Sequence, residues 1–478
     1  MSFRLGAISE KRFAEEFTMT NGSHVKPWRT GVVSFIATLA CAATLSAAGP
    51  GSQGKILAGF FEEWSIYYAN YNIADLQNNG VAGRMSHIVY AFANVTADSS
   101  TPSSDTCAIA DPWADFEDNN LPATGGIADV WPLYGNFAEI LKLKQLHPHL
   151  RTLISIGGAS ATNTAAFSLA ASTAAGRQAL ASSCINMFIT GNVGSDWNGA
   201  ITAPGLFDGI HIDWEFPAAT DTQNFTLLLQ EFRKQLNALG KANGKYYQLS
   251  FDGPAGEQNY SNIELAKTAR LVDFITIDGY NYNGTWENVA NHASPLFDSM
   301  KDPEFGEGLC ISCTVNAYLA AGVPPSKYVM GVPLYGAGWT GIPNVKHGLY
   351  QTSTDTTEAT WSAPALLANG SGQCTDLSGN TPGCDPLLTA GAATYSTLST
   401  LTANGYSRYF DPVSVAAWLY DPTTETFWTF DDPFTAALKT VYVQTRVPGG
   451  LGGNFVWALK DDDANGTMVK TLATGLGR

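Results

Sequence analysis

At 478 residues the chain exceeds one ordinary domain. A (β/α)8 barrel alone takes roughly 250 residues, so one barrel with an inserted subdomain fills it. A composition 45% hydrophobic and only 14% charged excludes a disordered protein. The formal net charge of −16 excludes the basic face that nucleic acid or an anionic membrane surface requires.

Residues 1–48 read as an N-terminal extension and signal peptide. Lys26 and Arg29 precede an apolar stretch from Gly31 to Ala47, and Ser46-Ala47-Ala48 has the small residues of a cleavage site. Met19 is a more natural start for such a segment than Met1. An uncleaved anchor is the alternative, but the stretch is near the minimum length for a span and rich in Ala, Gly and Thr. The expectation is a secreted, extracellular protein with no membrane contact in its mature form. Of seven cysteines, Cys41 falls in this segment. Cys107, Cys184, Cys310, Cys313, Cys374 and Cys384 remain, and their even number is compatible with three bridges of undetermined connectivity. Cys374–Cys384, around a Gly/Pro-rich loop, is the favoured pair. Cys310-Ile311-Ser312-Cys313 has redox or zinc spacing, but no second cysteine pair or histidine cluster completes a tetrahedral site.

From Ile56 onward, short apolar runs alternate with longer amphipathic or loop segments. The runs are Ile56–Phe60, Ile88–Phe92, Leu150–Ile156, Phe207–Ile212, Tyr247–Phe251, Phe274–Ile277, Tyr328–Pro333 and Asn454–Leu459. Nearly continuous hydrophobicity over so few residues predicts strands buried on both faces. Helical spacing appears over Phe137–Gln145 and over Thr222–Leu239, where Phe225, Leu228, Leu229, Phe232 and Leu236 recur. Eight such strands separated by helices predict an α/β fold, a (β/α)8 TIM barrel over 49–334 and 453–478. Between the seventh and eighth runs, Val415–Tyr420 and Thr426–Phe430 alternate around a turn at Pro422-Thr423-Thr424-Glu425. Residues 335–452 are therefore expected to form a small α+β insertion subdomain.

The fourth run ends Phe207-Asp208-Gly209-Ile210-His211-Ile212-Asp213-Trp214-Glu215. Residues two apart share a strand face, so His211, Asp213 and Glu215 point the same way. Adjacent carboxyls repel when both ionise, so the pair should share a proton, as a general acid near neutral pH requires. A bare Asp-x-Glu is more often a strand end whose acids cap loops or pair with cations; the flanking Asp208-Gly209, Trp214 and Phe216-Pro217 make this phrase far more specific.

At these residues the chain resembles family 18 chitinases, whose fourth strand reads Asp-x-x-Asp-x-Asp-x-Glu. Asp208, Asp213 and Glu215 match, and His211 replaces the middle Asp. Further likenesses are Gly59-Phe60-Phe61 with Trp64, Ser155-Ile156-Gly157-Gly158, Tyr280-Asn281 before Gly284-Thr285-Trp286, Gly331-Val332-Pro333-Leu334-Tyr335-Gly336, and Gly453-Asn454-Phe455-Val456-Trp457. Together they span nearly the whole chain after residue 55.

The resemblance implies a chitinase that cleaves β-1,4 linkages between N-acetylglucosamine units with retention. In this scheme the substrate's own acetamide oxygen is the nucleophile. It implies Glu215 as general acid/base, Asp213 as the group that orients the acetamide, and Tyr280 as a donor to the acetamide oxygen. Asp208, His211, Ser155 and Asn281 would support them. Trp457, Trp286, Phe60 and Trp339 would contact sugar, with Trp418 a further wall residue. No metal or cofactor is required; chitin and chito-oligosaccharides are the expected partners, and a monomer is expected. A catalytically silent glycan-binding lectin and an endo-β-N-acetylglucosaminidase are the competing functions; retention of Glu215 disfavours the first, and the insertion, by resemblance a cleft wall, disfavours the second. Four positions depart from the family pattern: His211, Asn281 in place of Asp, Asp278 in place of Met, and Ala159 where many relatives have an aromatic. A neutral His211 could still hydrogen-bond Asp213, whereas a cationic one would hold Asp213 ionised and weaken its donation to Glu215. The loss of two anions is expected to lower the pKa of Glu215.

Overall fold

The structure, a computed structural model, describes residues 54–67, 69–98, 100–196, 199–362 and 391–478. The targeting segment and the Cys374–Cys384 pair lie outside these residues.

All eight runs are strands: β1 (Ile56–Glu62), β2 (His87–Thr96), β3 (Arg151–Gly158), β4 (Gly209–Trp214), β5 (Gln248–Gly253), β6 (Phe274–Ile277), β7 (Tyr328–Pro333) and β8 (Gly453–Trp457). Each pairs in parallel with the next, and β8 pairs with β1 to close the barrel. Side chains fill the inside of the closed barrel and helices cover its outside, so both faces of each strand are covered, which is why the runs are apolar almost throughout. Inward positions fill the interior with Ala58, Phe60, Val89, Ala91, Leu153, Phe274, Val329 and Phe455. Outward positions take the helices. The helical stripe read from Phe225 to Leu236 belongs to Thr222–Asn243, which buries those residues against the barrel and ends at Gly244 in a left-handed conformation. That conformation costs glycine little and other residues much.

The long β7–β8 connection contains a separate five-stranded antiparallel sheet made of Tyr335–Trp339, Ala392–Thr394, Ser407–Asp411, Ala416–Asp421 and Thr426–Phe430. The last two form the expected hairpin, with Asp421 opposite Thr426. The sequence pattern missed the other three. Trp339, Trp418, Tyr420 and Phe427 form this sheet's own apolar cluster. Helix Pro433–Thr445, later in the same connection, packs on the last helix, Thr467–Leu476, and on β8.

Two disulfides are present among the described residues. Cys107–Cys184 ties the short strand Thr106–Ile109 to helix Ala174–Cys184. Cys310–Cys313 closes within the first turn of helix Ile311–Ala320, so the CxxC spacing is a bridge.

A buried ion pair joins the helix Pro433–Thr445 to the loop beneath it. Lys439 Nζ lies 2.6 Å from Asp431 Oδ2 and donates to Ser294 O and Oγ, so its three protons are all used. Removing one member of such a pair leaves an uncompensated charge in the interior. Asp431→Ala is expected to cost about 3 kcal/mol of unfolding free energy, and the double variant Asp431→Ala/Lys439→Met to recover most of it. Denaturant midpoints of the three proteins check this.

Candidate active site

Strand β4 is buried along its whole length, and its two faces have different neighbours. Trp214 points outward, stacking on Phe167 with ring centroids 5.3 Å apart and packing edge-on against Phe225. His211, Asp213 and Glu215 therefore project into the barrel and onto its C-terminal rim, where barrel sites lie. Strand β3 runs beside them, with Ser155 opposite His211 and Gly157 opposite Asp213. At Gly157 φ is +119°, and a Cβ there would fall 2.1 Å from the Asp213 carbonyl oxygen. Only glycine lets the two strands close at this point.

Ser155 Oγ donates to Asp213 Oδ2 at 3.1 Å. Asp213 Oδ1 is buried without a hydrogen-bond partner among the described residues, and the Asp213 and Glu215 carboxyls are near enough for each to shift the other. Burial and the neighbouring Asp213 charge push Glu215 up to about 8. Burial, then the Asp278 charge, raise Asp213 to about 7. Asp278, just past β6, is likewise raised to about 7 by burial and by Glu215, and accepts a hydrogen bond from Tyr280. Glu215 thus stands above the ordinary glutamate value. Two carboxyls are missing at 211 and 281, but Asp278 and Asp252 stand in the same interior. Asp252 carried no signal in the sequence because a lone acid at a strand end resembles any loop cap.

His211 does not hydrogen-bond Asp213. Its Nδ1 lies 2.8 Å from Ser250 Oγ and its Nε2 3.5 Å from Thr276 Oγ1. Complete burial lowers its pKa to about 3, so the ring is neutral. Asp208 is also elsewhere. It precedes β4, pairs with Lys144 at 2.8 Å and Arg151 at 3.4 Å, and accepts from Thr152 N at 3.0 Å. Five residues of extended chain, about 16 Å, separate it from Asp213. It anchors the opposite end of the barrel and belongs to no proton network with Glu215.

Beyond β6, Tyr280 packs against Phe455 and Tyr335, and Tyr335 Oη donates to Asn281 Oδ1 at 2.8 Å. Trp457 ends β8 half-buried, stacked on Phe92 at 5.8 Å and resting on Phe60 at 5.2 Å. Phe60 itself is 1% exposed and underlies the site; it offers no face to a sugar. Trp339 is fully buried in the antiparallel sheet, its Nε1 donating to Glu287 O at 2.8 Å, and Trp418 is buried beside it. Trp286 is 53% exposed, and so is available. Trp113 and Trp131, exposed on the β2–β3 connection, were not singled out from sequence. An open groove of about 580 Å³ runs beside Glu215, lined by Ala159, Ser160, Ala161, Thr164 and Phe216.

A closed parallel barrel with carboxyls clustered at its C-terminal rim beside an open groove is the arrangement a glycoside hydrolase uses. The chain belongs to glycosyl hydrolase family 18, whose model matches residues 56–462. It is 31% identical to Chitinase A1 of Niallia circulans over 88% of this chain and 58% of that protein. It is 30% identical to Chitinase 1 of Aphanocladium album over 95% and 94% of the two chains. The catalytic domain of psychrophilic chitinase B from Arthrobacter TAD20 superposes with a TM-score of 0.73 at 30% identity, covering 88% of this chain and 95% of that one.

The Ser155 hydroxyl favours the ionised form of Asp213. Ser155→Ala removes that donor, so the acidic limb of the pH–rate profile is expected to rise by about one unit. Glycoside hydrolysis rates measured from pH 3 to 9 check it.

Proposed function

We propose that this protein is a chitinase that hydrolyses β-1,4 linkages between N-acetylglucosamine units with retention, Glu215 serving as general acid and then base. The observation that carries this reading is the Asp213–Glu215 pair at the groove. Glu215 is held up to about 8, so it keeps its proton at neutral pH and can give it to the leaving glycosidic oxygen. Asp213 lies two residues from Glu215 on the same strand face, whereas a carboxylate nucleophile or base must sit across the scissile bond. Asp213 is therefore on the acid's side and does not attack the anomeric carbon. The substrate's own acetamide oxygen supplies the nucleophile, forming an oxazolinium ion. Asp213 orients the acetamide nitrogen and offsets its developing positive charge, while Tyr280 donates to the acetamide oxygen. Water then opens the ring, losing its proton to Glu215.

Trp457 lies at the end of β8 and supplies an apolar floor for the sugar whose bond is cleaved. The exposed rings of Trp113, Trp131 and Trp286, all on loops leaving C-terminal strand ends, suit a polymer longer than one sugar. The similarity to proteins named chitinases in both a bacterium and a fungus supports the same substrate. We infer export as well, since the apolar stretch at 31–47 fits a signal peptide and two disulfides fit an oxidising compartment.

Glu215→Gln is expected to lower kcat by about 1,000-fold on chromogenic chitobioside and chitotrioside while KM changes little. Equal rates would overturn the assignment. Release of chito-oligosaccharides, but not of glycan from a high-mannose glycopeptide, separates a chitinase from an endo-β-N-acetylglucosaminidase. Binding of chito-oligosaccharide without turnover identifies a lectin.

A further inference from the structure

A second pair of buried acids joins the end of β1 to the turn that carries Trp113, and no role assigned so far uses it. Glu63 directly follows β1 and is 6% exposed; Asp115, in the turn Trp113–Glu117 of the β2–β3 connection, is 1% exposed. The two segments lie against each other. Helix Gly135–Leu146 closes the space from a third side. At Gly135 φ is +62°, and a Cβ there would fall 2.7 Å from the carbonyl oxygens of Ala114 and Asp115, so only glycine lets the helix come this close.

Two hydrogen-bonded paths tie the turn down. Asn136 Nδ2 donates to Glu63 O at 3.2 Å and to Tyr90 Oη at 3.1 Å, and Tyr90 Oη donates to Asp115 Oδ1 at 2.5 Å. Tyr67 Oη donates to Asp111 Oδ2 at 2.6 Å, and Asp111 Oδ1 accepts from the backbone N–H groups of Trp113 and Ala114. The two acids are not equivalent. Asp115 receives a hydroxyl, whereas Glu63 Oε2 is buried with no hydrogen-bond partner among the described residues. An ionised oxygen without a donor is the less stable in an interior. Asp115 therefore ionises first, and Glu63 keeps the last proton.

We propose that Glu63 and Asp115 are positioning residues that form a proton-dependent clasp. The clasp holds the Trp113 turn against the end of β1, and its opening in alkaline solution weakens the grip on long chito-oligosaccharides. The proposal rests on the chitinase reading, in which the exposed Trp113 ring meets the polymer.

Burial first, then the charges of Asp115 and Asp111, hold Glu63 up at about 10. Burial raises Asp115 too, and the Tyr90 hydroxyl pulls it back. The other titratable groups facing the pair are Asp111 on the turn, Tyr90 from β2 and Tyr67 beyond Glu63, with Asp118 beside Tyr67. Each is an acid or is neutral. The nearby cations are committed elsewhere: Lys142 to Glu139 and Asp129, Lys460 to Glu62 and Asp461. Loss of the last proton therefore leaves two adjacent buried anions with no cation between them among the described residues, and their repulsion parts the turn from β1.

The test uses the full-length protein carrying Glu215→Gln, so that chitohexaose is bound and not consumed, with calorimetry from pH 7 to 10.5. The chitohexaose Kd is expected to hold to about pH 9 and to weaken by about fivefold at pH 10.5, while the chitobiose Kd stays within about twofold. Adding Glu63→Gln, which has the shape and a donor of the protonated acid but cannot ionise, is expected to remove the pH dependence and leave the neutral-pH affinity unchanged. A chitohexaose Kd that weakens equally with and without Glu63→Gln, or that is flat in both, would overturn the clasp. Failure to bind chitohexaose at any pH would overturn the clasp and the chitinase reading together. Turnover of chitohexaose by Glu215→Gln would sink the acid assignment alone, because thermal unfolding tests the clasp without substrate. A carboxyl raised by folding contributes stability below its unfolded value and loses it as pH rises through the folded value, here about 10. The Tm of Glu63→Gln relative to the parent should therefore climb between pH 5 and 10, and a flat difference also overturns the proposal.

Discussion

The structure turns on the mutual repulsion of carboxyls in one enclosed space. Asp213, Glu215, Asp252 and Asp278 project into the C-terminal third of the barrel, where water is scarce. Like charges at short range in a low dielectric cannot all persist, so protons stay with the set at pH values where isolated carboxyls have lost them. Barrel closure creates this condition. It brings β3 against β4 at Gly157, beneath the Asp213 carbonyl, and packs helices behind Trp214 so that the strand cannot recede.

The rest of the interior is neutral in a way that sharpens the effect. His211 would relieve the crowding if it were charged, but burial keeps it neutral and directs its two nitrogens to hydroxyls. Among the described residues Ser155 is the one hydroxyl donating to Asp213, and it pulls Asp213 toward ionisation while none of them pulls on Glu215 in the same way. In the proposed mechanism two chemically similar side chains on one strand face thereby take different tasks: one keeps a proton to give away, the other offers charge to a neighbouring acetamide. In the same proposal Trp457, on its bed of Phe60 and Phe92, fixes where the sugar ring rests relative to both.

Much of this was legible in the chain itself, because double burial forces whole strands to be apolar and all eight runs stand out for that reason. The hairpin of the insertion was visible for the complementary reason: its alternation and turn residues are local. What failed was whatever depends on where a strand faces in three dimensions. Trp286 and Trp339 are equally aromatic in sequence, yet one lies in solvent and the other is fully buried. Asp208 sits in the same phrase as Glu215, but the 3.3 Å rise of each strand residue, about 16 Å over five, carries it to the far end of the barrel. Asp252 lay just past the predicted end of its run at Phe251, and nothing in Ser250-Phe251-Asp252-Gly253 distinguishes a buried acid from a loop cap. Counting anions at the familiar positions alone therefore left Asp252 out. The charges had moved to neighbouring strands.

The central claim is that Glu215 keeps its proton near neutral pH because it is buried and because the Asp213 carboxyl stands beside it. Carboxyl-carbon NMR titration of the protein, with the Glu215 signal assigned by its loss in Glu215→Gln, measures this without reference to any substrate. The account predicts an apparent midpoint near 8 for that signal. A midpoint at about 4.3, the value of an ordinary glutamate, would contradict it.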